Sequence, residues 1–237
     1  MNTPSDQTPL IQLSGLTHRY GSRTAIDSLD LELRPGQIVG LLGENGCGKT
    51  TMLKIMAGVL SGYEGTVRIG GHSPGPASKA IVSFLPDASF LPDGARVSYC
   101  LDLYDDFFAD FDRKKAADLI GFFGLQQTMR LKEMSKGMRE KVQIALAMSR
   151  DAKVYLLDEP ISGVDPSARQ TILDGILRNL SEDSLLLVAT HLIHDLEPIL
   201  DSVVMMRHGR VILHGQADDL REKHSTSLDQ IFREMYR

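Results

Sequence analysis

The chain has 237 residues, of which 42% are hydrophobic and 24% are charged, and its net charge is −5. This composition is ordinary for a soluble globular protein, and the length allows a substantial core. No apolar run approaches the roughly eighteen residues that a membrane-spanning helix needs. The two cysteines exclude a disulfide framework, and the acidic balance gives no overall attraction to nucleic acid. We therefore expect a cytoplasmic chain without a nucleic acid partner.

The first part of the chain begins with predicted strands. Residues 1–9 are polar and rich in proline and threonine, which predicts a flexible N-terminus. Apolar and polar residues alternate in Ile11–Leu16 and Ala25–Leu33, as in half-buried antiparallel strands. Ile38–Leu42 is continuously apolar and predicts a strand that is buried on both faces. A glycine-rich loop and a predicted helix at Thr50–Leu60 follow it.

The rest of the chain alternates strands with helical segments. Further strands are predicted at Gly65–Gly70, Ile81–Leu85, Val154–Leu157, Leu185–Ala189, Val203–Met206 and Val211–Leu213. Between about residues 96 and 150, aromatic and aliphatic residues recur at helical spacing, which predicts an inserted α-helical subdomain. Similar spacing in residues 221–237 predicts a C-terminal helical tail. The order of elements predicts an α/β fold with a mainly parallel sheet and an N-terminal antiparallel β subdomain.

The loop after the third strand has the spacing of a phosphate-binding loop. It comprises Gly43, Glu44, Asn45, Gly46, Cys47, Gly48, Lys49 and Thr50, with Thr51 following. Glycines let successive backbone N–H groups face phosphate oxygens at a helix N-terminus. In this arrangement Lys49 reaches the β- and γ-phosphates and Thr50 binds Mg²⁺. A chance glycine-rich turn is the alternative, but a buried strand before the loop and a helix after it favour ATP and Mg²⁺ binding.

A second motif follows the apolar strand at Val154–Leu157. Asp158 and Glu159 stand directly after it. Asp158 is placed to hold Mg²⁺, and Glu159 is placed to act as the general base for the attacking water. Two adjacent acids could also form a solvated turn; the phosphate-binding loop upstream favours the catalytic interpretation.

The segment Met134–Arg139 resembles the signature of the ATP-binding cassette (ABC) family, usually Leu-Ser-Gly-Gly-Gln, although a lysine and a methionine replace a glycine and the glutamine. The Ser-Lys-Gly-Met form is similar to a subgroup of bacterial exporters. The resemblance covers residues 10–220 and implies a RecA-like P-loop NTPase core. It also implies that Ser135 and Gly137 bind the γ-phosphate of ATP held by a second subunit. A capped helix on the surface is the structural alternative.

Other positions resemble family residues one at a time. Tyr20 resembles the aromatic residue that stacks on adenine, although a lone tyrosine in a loop is more often a packing residue. Asp165 resembles the D-loop residue that crosses the dimer interface, and it is also a plausible helix N-cap before Pro166. His191 resembles the switch histidine that contacts the γ-phosphate. A metal pair of His191 with His194 is rejected because no suitable third ligand stands nearby.

The clearest departure from the family follows the strand Ile81–Leu85, where Pro86 and Asp87 replace the usual glutamine. Asp87 can contact Mg²⁺ through a water molecule, and it would repel a γ-phosphate that carries no metal ion. The resemblance therefore implies that Asp87 occupies a catalytic position and that it changes how ATP hydrolysis depends on Mg²⁺.

The resemblance implies the ATPase subunit of a bacterial transporter, with export as the expected direction. Its partners would be separate integral membrane subunits and a second copy of the chain or a paralogous ATPase. Val97–Gln127 and the Asp87 loop would form the groove that receives the membrane subunits, at the inner face of the cell membrane. The alternative is a soluble ABC ATPase without a membrane partner. A P-loop kinase or GTPase is disfavoured by the signature and by the lack of an Asn-Lys-x-Asp motif.

Overall fold

The computed structural model describes residues 8–236. Its strands are β1 (Ile11–Tyr20), β2 (Arg23–Leu33), β3 (Gln37–Leu42), β4 (Glu64–Ile69), β5 (Val82–Leu85), β6 (Val154–Asp158), β7 (Leu185–Thr190), β8 (Ser202–Arg207) and β9 (Arg210–Gln216). The predicted flexible N-terminus, residues 1–9, lies largely outside the described residues.

The helices lie between and after these strands. They are α1 (Lys49–Met56), α2 (Pro76–Lys79), α3 (Val97–Phe107), α4 (Arg113–Phe122), α5 (Lys136–Met148), α6 (Pro166–Leu177), α7 (Ile193–Leu196), α8 (Ala217–His224) and α9 (Leu228–Met235). Short 3-10 turns occur at Leu131–Glu133 and Glu197–Ile199.

The larger sheet has the strand order β5-β6-β7-β3-β8-β9, and its neighbours are parallel except β8 and β9. This confirms the predicted α/β class with a mainly parallel sheet. β6 and β7 are buried at every position, which explains their continuous apolar sequences. Because parallel strands end at a shared edge, the segments after β3, β5, β6 and β7 meet there.

A smaller antiparallel sheet has the order β2-β1-β4. The buried side chains of Leu13 and Val67 from this sheet share one apolar cluster with Met52 of α1 and Val39 and Leu187 of the larger sheet. The predicted N-terminal antiparallel β unit is therefore present. It packs over α1 and fixes the helix that follows the glycine-rich loop.

Helices α3, α4 and α5 occupy the segment predicted as an inserted helical unit. Their buried residues, including Leu119 and Val142, belong to the same apolar cluster as Leu157 of β6. Buried Arg150 forms an ion pair with Asp110 at 2.9 Å and anchors the base of this unit. The helical unit is thereby joined to the strand that ends at Asp158.

The C-terminal part of the described chain contains α8 and α9. Leu228 and Ile231 of α9 are buried in the main apolar cluster, and Phe232 and Met235 pack against it. Within residues 8–236, none of the helices is both long and apolar enough to cross a membrane.

Several predicted boundaries were wrong. Tyr20 lies in β1 rather than in a loop, because a tight turn with Gly21 at φ 58° lets it pair with Arg23. Helix α1 stops at Met56 instead of Leu60, since Gly58 takes a left-handed φ of 66° that ends the helix. Helix α5 begins three residues before Arg139, because Ser135 caps it.

Candidate active site

The glycine-rich loop joins β3 to α1 and reaches the carboxyl edge of the larger sheet. Gly48 precedes α1 with φ 114°, and a Cβ there would lie 2.5 Å from the carbonyl oxygen of Ala25. Gly46 has φ 82°. Both positions need glycine, because a side chain would be strained in this backbone conformation and, at Gly48, would also collide. The loop thus curls as a phosphate-binding loop requires.

Lys49 is buried at the start of α1. Its Nζ atom donates to the carbonyl oxygens of Gly43 at 2.6 Å and Glu44 at 3.3 Å. The same atom lies 4.0 Å from Glu159 Oε1. The loop carbonyls and one carboxylate therefore hold a buried ammonium group beside the loop, where it can attract phosphate oxygens.

Asp158 ends β6 and is 1% exposed. Burial raises the pKa of its carboxyl, hydrogen bonding by Thr50 opposes this, and the charges of Asp87 and Glu159 raise the pKa further. Among the described residues, neither carboxylate oxygen accepts a hydrogen bond of normal geometry. Thr50 is a neighbour that favours the charged carboxylate, but both Asp158 oxygens remain without a hydrogen bond of normal geometry among these residues. Such buried carboxylate oxygens are what a cation would satisfy.

Glu159 lies next to His191 across the ends of β6 and β7. The Nδ1 atom of His191 is 3.0 Å from each carboxylate oxygen of Glu159, and the Thr190 hydroxyl donates to Oε2 at 3.2 Å. Glu159 has an unusual φ of 52°, and its N–H donates to the carbonyl oxygen of Ala189 at 2.8 Å. These contacts fix the Glu159 carboxylate in one place on the shared edge of the sheet.

Tyr20 lies beside the phosphate-binding loop. A cleft of about 320 Å³ is lined by Tyr20, Arg23, Ala25, Gly46, Gly48, Thr50 and Thr51. Tyr20 is 50% exposed, and its ring packs edge-to-face with that of His18, with centroids 4.6 Å apart. The structure thus places this ring and the loop along one cleft of a size that suits a small ligand.

Ser135 and Gly137 lie at the start of α5. Ser135 Oγ accepts the N–H of Met138 at 3.2 Å, which makes Ser135 the N-cap. The neighbouring side chain of Lys136 covers Gly163, where a Cβ would lie 2.6 Å from Lys136 Nζ. The start of α5 therefore contacts the segment that leads into α6 in the same chain. Within residues 8–236, no hydrogen bond joins Ser135 or Gly137 to the phosphate-binding loop.

Asp165 is exposed at the N-cap position of α6, directly before Pro166. Asp165 is therefore the N-cap residue, as the sequence suggested, although its side chain makes no capping hydrogen bond among the described residues. Proline at the first helical position begins α6 without that contact, because its fixed φ suits a helix start.

Asp87 is exposed in the segment after β5. Its charge raises the pKa of Asp158 and also that of Glu140, so it acts on both carboxyl groups. The structure thus brings Asp87 to the same edge of the sheet as Asp158 and Glu159. It adds negative charge where the family usually has a neutral side chain.

Sequence reasoning missed two residues close to these groups. Thr190 directly precedes His191 and ties Glu159 to the next turn, because its hydroxyl also accepts the N–H of Leu192 at 3.0 Å. Glu140 is 5% exposed in α5, and burial raises its pKa to about 7. The helical spacing of Glu140 with buried Ile144 was a signal for its burial.

Cys47 fills space inside the loop, as its small size predicts. It is 7% exposed, and burial raises the pKa of its thiol. Cys100, in α3, is also buried, and both cysteines are free.

The profile of the ABC transporter family matches residues 26–162. The chain belongs to this family. The match spans the phosphate-binding loop, the signature segment and the Asp158–Glu159 pair, whereas Tyr20, Asp165 and His191 lie outside it. The family and its relatives make this chain an ATP-binding ATPase.

Individual ABC proteins resemble the chain over most of their length. A Nod factor export ATP-binding protein I from Ralstonia nicotianae is 33% identical, over 90% of this chain and 69% of the relative. A phosphonates import ATP-binding protein from Natronomonas pharaonis is 31% identical, over 92% and 99%. A solved ATP-binding subunit of an ABC transporter superposes with a TM-score of 0.86 at 26% identity, covering 96% and 100%.

Proposed function

We propose that this ABC ATPase powers a transporter, with two ATPase subunits closing around ATP and separate membrane subunits carrying the substrate. The observation that carries the proposal is the convergence of Lys49, Asp158 and Glu159 at one edge of the sheet, with His191 on Glu159. An ammonium group, a buried carboxylate and a second carboxylate held by hydrogen bonds are parts that ATP hydrolysis needs.

The residues fit Mg²⁺ together with ATP. Asp158 has two buried oxygens without good hydrogen bonds among the described residues, and the Thr50 hydroxyl is its neighbour. Within residues 8–236, no three His, Cys, Asp or Glu side chains form a complete metal cluster. This suits Mg²⁺, which binds through one or two protein ligands and substrate phosphates. When bound, Mg²⁺ neutralises part of the phosphate charge. Asp158 and Thr50 would hold the ion, and Asp87 would contact it through a water molecule.

Glu159 is proposed as the general base. Its carboxylate would accept a proton from a water molecule whose oxygen attacks the γ-phosphorus, and the bond to the ADP oxygen breaks. His191 and Thr190 hold the carboxylate through the contacts described above. Lys49 would stabilise the negative charge of the transferred phosphoryl group.

The second subunit is proposed to use the exposed start of α5. Ser135 and the backbone N–H groups at the start of this thirteen-residue helix would form an anion site. Ser135 and Gly137 would bind the γ-phosphate held by the phosphate-binding loop of the other subunit. Asp165, also exposed, would cross the same interface. The partner would be a second copy or a paralogue.

The membrane subunits are proposed to dock on the helical unit. Its surface carries three large exposed aromatic side chains, at 37% to 75% exposure, on Tyr99, Phe107 and Phe122, and Phe90, in the segment that precedes it, is 41% exposed. Large apolar side chains that stay exposed are candidates for an interaction surface. The ATPase would then lie in the cytoplasm at the inner face of the membrane.

We propose export as the direction, on the likeness to the Nod factor export protein.

Affinity purification from the native membrane in mild detergent tests this function. We expect a multi-spanning membrane protein in stoichiometric amount. Phe107→Asp should abolish its recovery and leave the ATPase activity of the isolated chain unchanged. Val59→Asp, at a 63% exposed hydrophobic residue outside the helical unit, should keep the partner bound. Recovery of an active ATPase alone from every preparation would support a soluble ABC ATPase instead.

A further inference from the structure

We propose that Tyr236, at the end of the C-terminal tail, positions the phosphate-binding loop and thereby sets the affinity for ATP. The proposal rests on the proposed phosphate-binding role of residues 43–51. It concerns a residue that lies far beyond the family match, which ends at residue 162.

Tyr236 lies beside the first residue of the loop, Gly43. Its hydroxyl donates a hydrogen bond to the carbonyl oxygen of Met206. A Cβ at Gly43 would lie 2.6 Å from that same oxygen, 3.4 Å from the Tyr236 hydroxyl and 2.5 Å from Cys47 Sγ. Gly43, Cys47, Met206 and Tyr236 therefore form one close-packed contact beneath the loop.

The Tyr236 hydroxyl keeps its proton at neutral pH. Burial raises its pKa, the nearby groups Cys47 and Glu44 raise it further, and Arg207 opposes the shift. A protonated hydroxyl can donate to the carbonyl oxygen of Met206 at neutral pH.

The tail holds Tyr236 firmly in this position. The ring of Phe232 stacks on that of Tyr236 with centroids 4.2 Å apart, and Arg207 Nη1 donates to the carbonyl oxygen of Met235 at 3.2 Å. Glu197 accepts the N–H of Leu228 at 2.8 Å. Since Glu197 follows His191 by one short helix, the tail is fastened both to β8 and to the segment that follows His191.

Gly43 links this contact to the nucleotide. Its carbonyl oxygen accepts the hydrogen bond from Lys49 Nζ at 2.6 Å. A shift of the Gly43 peptide would therefore move a partner of the lysine that binds the phosphates. Met206 of β8 and Tyr236 of the tail lie beside Gly43 and restrict that shift. The loop is thus held in shape before ATP arrives, which lowers the ordering cost of binding.

Tyr236→Phe tests the proposal by removing one hydroxyl and keeping the ring. We expect the Kd and KM for ATP to rise about two- to tenfold, the range for one net hydrogen bond, with kcat at saturating ATP unchanged. Tyr155→Phe is the matched control, because it removes a buried hydroxyl that donates to the Arg150 carbonyl oxygen at 2.6 Å. That variant should lose stability without any change in ATP affinity.

The thiol of Cys47 gives a second readout that a purely structural role would not move. In Tyr236→Phe without nucleotide, we expect iodoacetamide to alkylate Cys47 several times faster than in the wild type. Cys100, measured in the same digest by mass spectrometry, should react at an unchanged rate. Tyr155→Phe should leave both rates unchanged. A folded Tyr236→Phe protein with wild-type Kd and wild-type Cys47 alkylation would overturn the proposal.

The wild-type protein supplies a test that needs no variant. Coupling between two sites is reciprocal, so ATP must stabilise the tail if the tail stabilises the ATP-binding loop. We expect ATP to slow hydrogen exchange of the amides in residues 228–236, and equal exchange with and without ATP would overturn the inference. Lys49→Ala separates the two claims: if it binds ATP normally, the proposed phosphate site is wrong. If it loses binding while Tyr236→Phe changes nothing, only the role of Tyr236 fails.

Discussion

The Nδ1 atom of His191 lies 3.0 Å from both carboxylate oxygens of Glu159. The two residues come from the ends of adjacent parallel strands, β7 and β6, which register Ala189 opposite Asp158. The pairing of the strands therefore brings together a histidine and a glutamate that are 32 residues apart in the sequence. A base held in this way has the fixed orientation that proton transfer needs.

Replacing His191 by Ala should lower kcat for ATP hydrolysis about 10- to 100-fold, because Glu159 loses the contact that orients it. The Kd for ATP should change by less than about twofold, since His191 is not part of the phosphate-binding loop. Steady-state kinetics and equilibrium binding separate these effects. His194→Ala, at an exposed residue of α7, is the control and should behave as the wild type. Equal losses in the two variants would contradict a specific role for His191.

Asp87 should make ATP binding depend strongly on Mg²⁺. Without the metal, its negative charge repels the phosphates, whereas a neutral glutamine would not. The ratio of the ATP Kd without Mg²⁺ to that with Mg²⁺ should therefore be about two- to fivefold larger in the wild type than in Asp87→Gln. Asp219→Asn, which removes an exposed charge from α8, should not change the ratio. Equal Mg²⁺ dependence of the wild type and Asp87→Gln would remove this role for Asp87.

The fold should become less stable as the pH rises, because the buried carboxyl of Glu140 then loses its proton. Burial, the main cause, raises its pKa from 4.5 to about 7, with Lys136 opposing and Asp87 adding to the shift. The folded chain thus binds the proton more tightly than the unfolded chain. The stability from this group is fully present below pH 4.5 and is lost as the pH rises to about 7.

Glu140→Gln removes that dependence. Relative to the wild type, the free energy of unfolding of this variant should increase by about 2 kcal/mol between pH 5 and pH 8. Urea unfolding at the two pH values measures the difference. Glu222→Gln, at an exposed residue of α8, should show no such increase. A pH-independent difference between Glu140→Gln and the wild type would show that the carboxyl does not titrate in this range.

The sequence predicted the order of strands and helices well, because buried parallel strands such as β6 and β7 leave continuous apolar runs. It also placed the glycine-rich loop and the pair Asp158 and Glu159 at the ends of two such strands. Boundaries were less predictable: the helix start at Lys136 depends on Ser135 as a cap, and the end of α1 depends on the φ of Gly58. These are single-residue effects that periodicity does not resolve.

The contact of Tyr236 with the loop could not be predicted from the sequence. Gly43 and Tyr236 are separated by most of the chain, and only the folding of α9 against β8 brings them together. The helical spacing in the tail predicted an apolar face but gave no indication of what that face covers. Packing of distant segments is a property of the whole fold rather than of any local pattern.

The ATP-dependent dimer is the central claim, and Glu159→Gln tests it most directly. The variant keeps Lys49, Asp158 and Ser135, so it should bind ATP and lose nearly all hydrolysis. Gel filtration with light scattering should then give a mass of twice the chain's 26.1 kDa when ATP and Mg²⁺ are present, and 26.1 kDa without them. Adding Ser135→Arg to the variant should restore the monomer with ATP still bound. A Glu159→Gln protein that binds ATP and stays monomeric, or that hydrolyses ATP at the wild-type rate, would contradict the account.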